Sequence, residues 1–288
     1  MPAARTGAAA RERRPRREPR ERKPRRRSDL LQRILVAIPL AIATIIFIDL
    51  GGIPFAVFMI IAGMICMYEL YGLLARWRPI PVVGFAALVA MVLLARSDGQ
   101  GGVLGAMVAA VPFLLLAVVF RDQPRPTVAI GGTLLGIYWI GLAFAHAELL
   151  RQLPHGNRVL LDVLIGTFVG DTGAYLGGRL FGRRPLAPRI SPNKTVEGLV
   201  CGMLAAVLAV FIAGLYQTWL TQGKAIELGL AVAVLGPLGD LFESLVKRDA
   251  GAKDAGTLFG PHGGILDRID SALFTVVVGY YIWLSVVH

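Results

Sequence analysis

Nine runs of apolar residues, separated by short clusters of charge, glycine and proline, constrain this chain more than any other feature. They lie at about 30–48, 53–75, 80–95, 103–120, 128–146, 159–178, 195–219, 225–243 and 269–287. A hydrocarbon core of about 30 Å takes about 20 apolar residues as a helix, so most of these runs are long enough to cross a bilayer. Backbone polar groups in lipid must pair within the segment, and no period-two alternation competes, so the runs read as helices. The composition agrees: 55% of residues are hydrophobic and 17% charged, with mean hydropathy +0.63, whereas a soluble domain carries about a quarter charged residues. The expected fold is all-α, a polytopic integral membrane protein with about nine transmembrane helices. Cys66 and Cys201 fall in apolar runs far apart and read as small buried hydrophobes, without a disulfide framework or metal-ligand spacing.

Charge is unevenly placed. Residues 1–27 hold twelve Lys or Arg against Glu12, Glu18 and Glu21, which accounts for +9 of the chain's net +11. Pro15, Pro19 and Pro24 interrupt that run and almost nothing in it is apolar, so residues 1–28 are expected to form a disordered basic tail. Such a tail either attaches to anionic lipid headgroups, at roughly 1 kcal/mol per basic residue, or only sets orientation. A nucleic-acid partner and a cleaved signal peptide are not expected. With the amino terminus in the cytoplasm and nine alternating crossings, the inside loops hold thirteen basic residues: Arg76, Arg78, Arg121, Arg125, Arg179, Arg183, Arg184, Arg189, Lys194, Lys247, Arg248, Lys253 and Arg268. The outside loops hold Arg96, Arg151, Arg158 and Lys224. This bias puts the amino terminus and the two most charged loops, 180–194 and 244–268, on the cytoplasmic side of what is expected to be a prokaryotic plasma membrane. The chain divides into the tail, amino-terminal transmembrane helices over 29–158, and a catalytic transmembrane region over 159–288.

Asp171, Glu197, Asp240 and Glu243 sit in or at the ends of apolar runs, where a carboxylate costs about 2.5–3.5 kcal/mol and therefore faces a polar cavity or an ion. Around Asp171, Gly170, Gly173, Gly177 and Gly178 thin the helix for a close neighbour. Asp49 and Glu69 lie nearer helix ends and read as structural. Asp267 and Asp270 share a helix face, and Asp254 and Asp240 come from the preceding loop and span. Hard oxygen ligands from separate elements suit Mg²⁺, which keeps water and substrate phosphate in its shell. Lys247, Arg248 and Lys253 add the positive charge that a triphosphate needs, and Gly263 and Gly264 allow a backbone approach to phosphate. Together these describe phosphoryl or nucleotidyl transfer. In RISPNKTVEG, Ser191, Asn193, Lys194 and Thr195 precede a span and form either a phosphate cradle or a helix cap; the Walker A spacing is absent. His262 reads as a phosphate-contacting residue in preference to a general base.

The run Ser244-x-x-Lys247-Arg248, Lys253-Asp254-x-Gly256, Phe259-Gly260-x-His262-Gly263-Gly264-x-x-Asp267-Arg268-x-Asp270 resembles the signature of the phosphatidate cytidylyltransferase (CDP-diacylglycerol synthase) family. GDTGAY around Asp171, SPNKTVEG and GDLFES extend the resemblance over about 160–288. The order Gly260-Pro261 is reversed from the commoner Pro-Gly, which touches the local turn and no charged position. The resemblance implies a reaction of CTP with phosphatidate to give CDP-diacylglycerol and pyrophosphate with Mg²⁺. It implies that Asp254, Asp267 and Asp270, with Asp240 or Asp171, hold one or two cations, and that Lys247, Arg248 and Lys253 neutralise phosphate. His262 and Arg268 join the catalytic set, and Ser191, Asn193, Lys194, Thr195, Ser244, Gly263 and Gly264 the substrate-binding set. It further implies membrane-lipid partners and a homodimer. A CTP-dependent membrane kinase of a lipid alcohol is the alternative enzyme. An ion-coupled transporter fits less well, because the charge gathers in loops of one half and no repeat is visible.

Overall fold

The computed structural model describes residues 27–256 and 263–287, with backbone only for 27–37. Within Met1–Pro39 the described residues are helical; Leu40–His288 forms a second compact unit, which holds everything described below. The basic tail at 1–26 and His262 lie outside the described residues. The helices are α1 (Arg27–Leu50), α2 (Gly52–Leu73), α3 (Pro81–Val119), α4 (Pro126–Leu135), α5 (Leu142–Gln152), α6 (Gly156–Phe181), α7 (Val196–Leu215), α8 (Gln222–Asp249) and α9 (Leu266–Val287). A π-turn over Gly136–Gly141 joins α4 to α5 in one continuous helix.

The all-α membrane class holds, and about nine is not an exact count of its spans. Seven helices among the described residues are long and apolar enough to cross a membrane, and α1 contributes a shorter apolar stretch, Ile38–Leu50. The expected spans 80–95 and 103–120 are merged in α3, whose 39 residues would measure about 58 Å if straight. They are not straight. Gly99 takes φ 63°, ψ −143°, a conformation that costs only glycine little. A Cβ on Gly102 would lie 2.4 Å from the carbonyl oxygen of Leu94, eight residues back, so the chain has doubled over. Charge and glycine in the RSDGQGG run made the break legible; its tightness was not.

The connections sort into two ends. At one, Gln152 Nε2 donates to the Ala95 carbonyl, Arg151 Nε to that of Ile48, and Trp283 Nε1 to that of Pro154, while His155 stacks on Trp219. At the other, Arg76 Nη2 donates to the Asp249 carbonyl and Arg248 Nε to that of Ile190. Helix α3 thus leaves one end at Ile80, turns at the other beyond Ala95, and returns to Gln123 beside Arg76 and Arg78.

Helices α6 and α7 pack through small residues spaced by four. Gly166, Gly170 and Ala174 face Gly198, Gly202 and Ala206; a Cβ on Gly202 would sit 2.8 Å from the Gly170 carbonyl, and one on Gly177 2.3 Å from the Cβ of Cys201. Such a seam lets two backbones close where lipid offers no hydrophobic drive between helices. The expected glycine-thinned face of α6 therefore has α7 as its partner. Among the described residues one short hairpin stands between these helices, in the loop and not in a span. β1 (Pro185–Ala187) and β2 (Ser191–Thr195) make an antiparallel hairpin that pairs Pro185 with Thr195 and Ala187 with Ser191. Glu197 anchors its base, accepting from the backbone N–H groups of Arg183 and Arg184 at 3.0 and 3.1 Å. Thr195 caps α7 by accepting from Gly198 N–H at 3.1 Å.

Candidate active site

Helix α8 carries Asp240, Glu243, Ser244 and Lys247 on one face, at the i, i+3, i+4 and i+7 positions. That face meets the start of α9 because Gly239 has no side chain: a Cβ there would lie 2.8 Å from the Asp270 carbonyl oxygen and 3.2 Å from Ser271 Cα. The close approach gathers carboxylate oxygens of Asp240, Glu243 and Asp270 within 4.8 Å of one another. Glu243 is 1% exposed and Asp270 8%. Asp171 joins from α6, where its Oδ1 accepts from Ser271 Oγ at 3.4 Å.

Counter-charge is short. Lys194 Nζ pairs with Asp240, and Lys247 Nζ pairs with Glu243 and, at 2.8 Å, with Asp267. In these ion pairs of the described residues two ammonium groups meet three carboxylates, with Asp171 and Asp270 close by. Like unit charges 4 Å apart near a protein surface repel by about 4 kcal/mol, a large part of a typical domain's stability. A bound cation would relieve it. The donor set fits a hard divalent ion: all are carboxylate oxygens, they converge from different helices, and the buried Glu243 Oε1 has no hydrogen-bond partner among the described residues.

The expected metal ligands divide. Asp240 and Asp270 are in the cluster and Asp171 stands at its edge. Asp267 is spent elsewhere: its oxygens accept from Ala255 N–H at 3.0 and 2.9 Å and from Gly264 N–H at 2.8 Å besides Lys247. It ties the loop to α9. Asp254 and Lys253 are exposed on that loop, outside the acidic cluster. Glu243, noticed in the sequence as an acid in an apolar run but not chosen as a ligand, is the third member. Its i+3 spacing from Asp240, the same as that between Asp267 and Asp270, was the available signal.

Gly263 and Gly264 are buried, and their missing side chains are used for packing instead of being left open to phosphate. A Cβ on Gly263 (φ +83°) would meet Asp267 Oδ2 at 2.8 Å, and one on Gly264 would meet Glu69 Oε2 at 2.3 Å. Glu69, read as structural, does more than close α2. From 196 residues away its carboxylate accepts from Ile265 N–H at 3.1 Å and, at 2.8 Å, from Leu266 N–H, satisfying donors that the start of α9 would otherwise leave unpaired. Arg248 is exposed and holds the β1–β2 turn through Ile190; Ser244 Oγ lies 3.5 Å from Asp240 Oδ1; Arg268 is half-buried in the first turn of α9.

Beside the acids a cavity of about 390 Å³ opens between α6, α7, α8 and β2. Asp171, Arg179, Asn193, Lys194, Thr195 and Asp240 line its polar end, and Gly166, Ala206 and Val232 its apolar depth. Asn193, Lys194 and Thr195 thus reach the cavity together, although Thr195 also caps α7; Ser191 does not line it and pairs within the hairpin. One volume offers cations, acids and an apolar seam, the combination that a phosphate carried on acyl chains requires.

The model of the family described as "Cytidylyltransferase family" matches residues 31–286. The phosphatidate cytidylyltransferase of Bacillus subtilis (strain 168) is 31% identical over 266 residues, 88% of this chain and 97% of its own. That of Brucella suis biovar 1 (strain 1330) is 33% identical over 258 residues, 88% of this chain and 93% of its own. The uncharacterized protein YnbB of Escherichia coli (strain K12) is 41% identical over 150 residues, half of each chain. A match across nearly the whole length, with relatives aligned over almost all of their own chains, means that the chain belongs to the cytidylyltransferase family.

Proposed function

We propose that the protein transfers a cytidylyl group from CTP to phosphatidate, forming CDP-diacylglycerol and pyrophosphate for phospholipid synthesis. The observation that carries this reading is the single cavity whose polar end joins Lys194 and Asp240 and whose depth is glycine and aliphatic surface between spanning helices. A soluble nucleotide enters from the charged end, and acyl chains lie along the α6–α7 seam. We place that end and the amino terminus in the cytoplasm, on the thirteen-to-four bias of basic residues between the two sets of loops.

In this reading a lipid phosphate oxygen attacks the α-phosphorus of CTP, the bond to the bridging oxygen breaks, and pyrophosphate leaves with that oxygen. A phosphate monoester near neutral pH is already anionic, so no strong base is needed. Asp240, Glu243 and Asp270, with Asp171 beside them, are the residues that would hold Mg²⁺. An ion held there would supply neutralisation of phosphate charge. Lys194 and Asn193 bind phosphate at the cavity, and Arg179 at the rim orients the lipid headgroup. Lys247 holds Glu243 and Asp267 in place, and Asp267 with Glu69 fastens Ala255, Gly264, Ile265 and Leu266 beside Lys253 and Asp254. Lys253, Asp254, Arg248 and Arg268 bind the pyrophosphate in this reading, and His262, which lies outside the described residues, joins them by its place in the sequence. The catalytic region is 159–288, completed by Glu69 from the amino-terminal helices.

Purified protein given phosphatidate, Mg²⁺ and CTP labelled at either the α or the γ phosphorus tests the proposal. Label passes into lipid from the α position and stays out from the γ position. The reverse pattern would establish the lipid-kinase alternative.

A further inference from the structure

A second cavity, of about 360 Å³, sits at the same end of the bundle and shares no residue with the first. Two connections form it: Arg76, Trp77 and Arg78 after α2, and Gln123, Pro124 and Arg125 before α4. Its lining holds three guanidinium groups and no acid. Arg76 is engaged by Asp249 across the end of α8, but neither Arg78 nor Arg125 has an ion-pair partner among the described residues. Gln123 Oε1 is buried there without a partner. Pro126 begins α4 behind Arg125, and no side chain caps that helix, so its positive end adds to the field.

We propose that this cavity binds the phosphate of an anionic phospholipid headgroup, at a site separate from the one where chemistry occurs. The ligand chemistry is a phosphate that offers its oxygens to Arg78 and Arg125, for which the planar guanidinium is suited. The Gln123 amide either accepts from a headgroup hydroxyl or, turned over, donates to phosphate. The surroundings select a lipid over a soluble phosphate. Val119 and Phe120, 75% and 84% exposed, lead into the second connection, and Arg76 lies 5.8 Å over the Trp77 ring. Exposed apolar side chains running into arginine and tryptophan mark the headgroup level of a bilayer. Basic pockets between helices on the charged side of a membrane take anionic headgroups in this way. Because Arg76 reaches Asp249, the lipid would brace the end of the helix that carries Asp240 and Glu243.

The test is native mass spectrometry of the full-length protein released from nanodiscs of equal parts phosphatidylcholine and phosphatidylglycerol. The unaltered chain should retain phosphatidylglycerol in preference. Arg78→Gln with Arg125→Gln should lower that retention about tenfold or more, since each cation near an anionic headgroup is worth roughly a factor of five, and should leave phosphatidylcholine unchanged. Both side chains are exposed; the matched Arg78→Lys, Arg125→Lys chain should keep most of the binding and guards against misfolding. Equal retention of phosphatidylglycerol by the Gln variant would overturn the site. Millimolar inorganic phosphate stripping the lipid from the unaltered chain would overturn the lipid assignment in favour of a soluble phosphate.

Discussion

Buried carboxylates occur at both ends of the helical bundle, but they are treated differently. At the end with few basic residues each has its own donor. Arg96 Nη1 meets Glu148 Oε1 at 3.2 Å, with Gln152 Nε2 at 3.3 Å, and Gln217 Nε2 spans both oxygens of Asp162 at 3.0 and 2.9 Å. At the basic end Asp240, Glu243 and Asp270 face one another. An unpaired oxygen does not distinguish the two ends, because Glu148 Oε2 has no partner either. Crowding does: among the described residues no second metal-capable acidic group stands near Glu148 or Asp162. Near Glu148 and Asp162 buried charge fastens helices together; at the other end Glu69 does the same for the start of α9, while Asp240, Glu243 and Asp270 crowd into a group that could hold a cation.

The sharpest way to break that contrast is to remove one acid at each end. Asp270→Asn should cost about a thousandfold or more in kcat, the order expected when charge stabilisation of a phosphoryl transition state is lost, with expression unchanged. Glu148→Gln should leave turnover per folded molecule near normal and lower stability by about 1–3 kcal/mol through the stranded Arg96. Comparable turnover in the two variants would end the distinction.

Metal dependence sharpens it further. Chelation should abolish activity and Mg²⁺ restore it; saturating Mg²⁺ should also raise the unfolding temperature, by about 2.7 kcal/mol of stabilisation at a hundred times Kd. The rise should vanish in an Asp240→Asn, Asp270→Asn double variant and persist in Asp162→Asn. Gly239→Val should place methyl groups against the Asp270 carbonyl, destabilise by about 1–3 kcal/mol and weaken Mg²⁺ binding, read by the same thermal shift. The smallest effect is expected at Glu69→Gln, which keeps the shape but weakens the acceptor for Ile265 and Leu266. It should lower kcat/KM about tenfold and speed proteolysis within 250–264, without altering the Mg²⁺-induced shift.

Apolar length and interruption were enough to read the helical class and most span positions, because bilayer thickness and backbone hydrogen bonding leave a chain few choices. The doubling of α3 was legible as a break but not as a turn of one glycine, since nothing in RSDGQGG says which residue takes positive φ. The charged loops were legible as a candidate site because charge of that density has no use in lipid. The roles inside it were not. Asp267 and Asp270, alike in sequence, part company: one is bound by backbone N–H groups of Ala255 and Gly264, the other points into a gathering of acids. Gly263 and Gly264 were read as open to phosphate and are closed by Asp267 and Glu69.

The sequence by itself determined that this is a membrane-spanning cytidylyltransferase-family chain with acids and bases concentrated in its second half. Only the tertiary structure decided that Glu243 joins Asp240 and Asp270, that Asp267 serves the loop, and that Glu69 reaches across 196 positions to Ile265. The reason is geometric. A helix sets which side chains share its own face, but whether two faces meet depends on how closely their backbones pack, and here that rests on a single missing Cβ at Gly239.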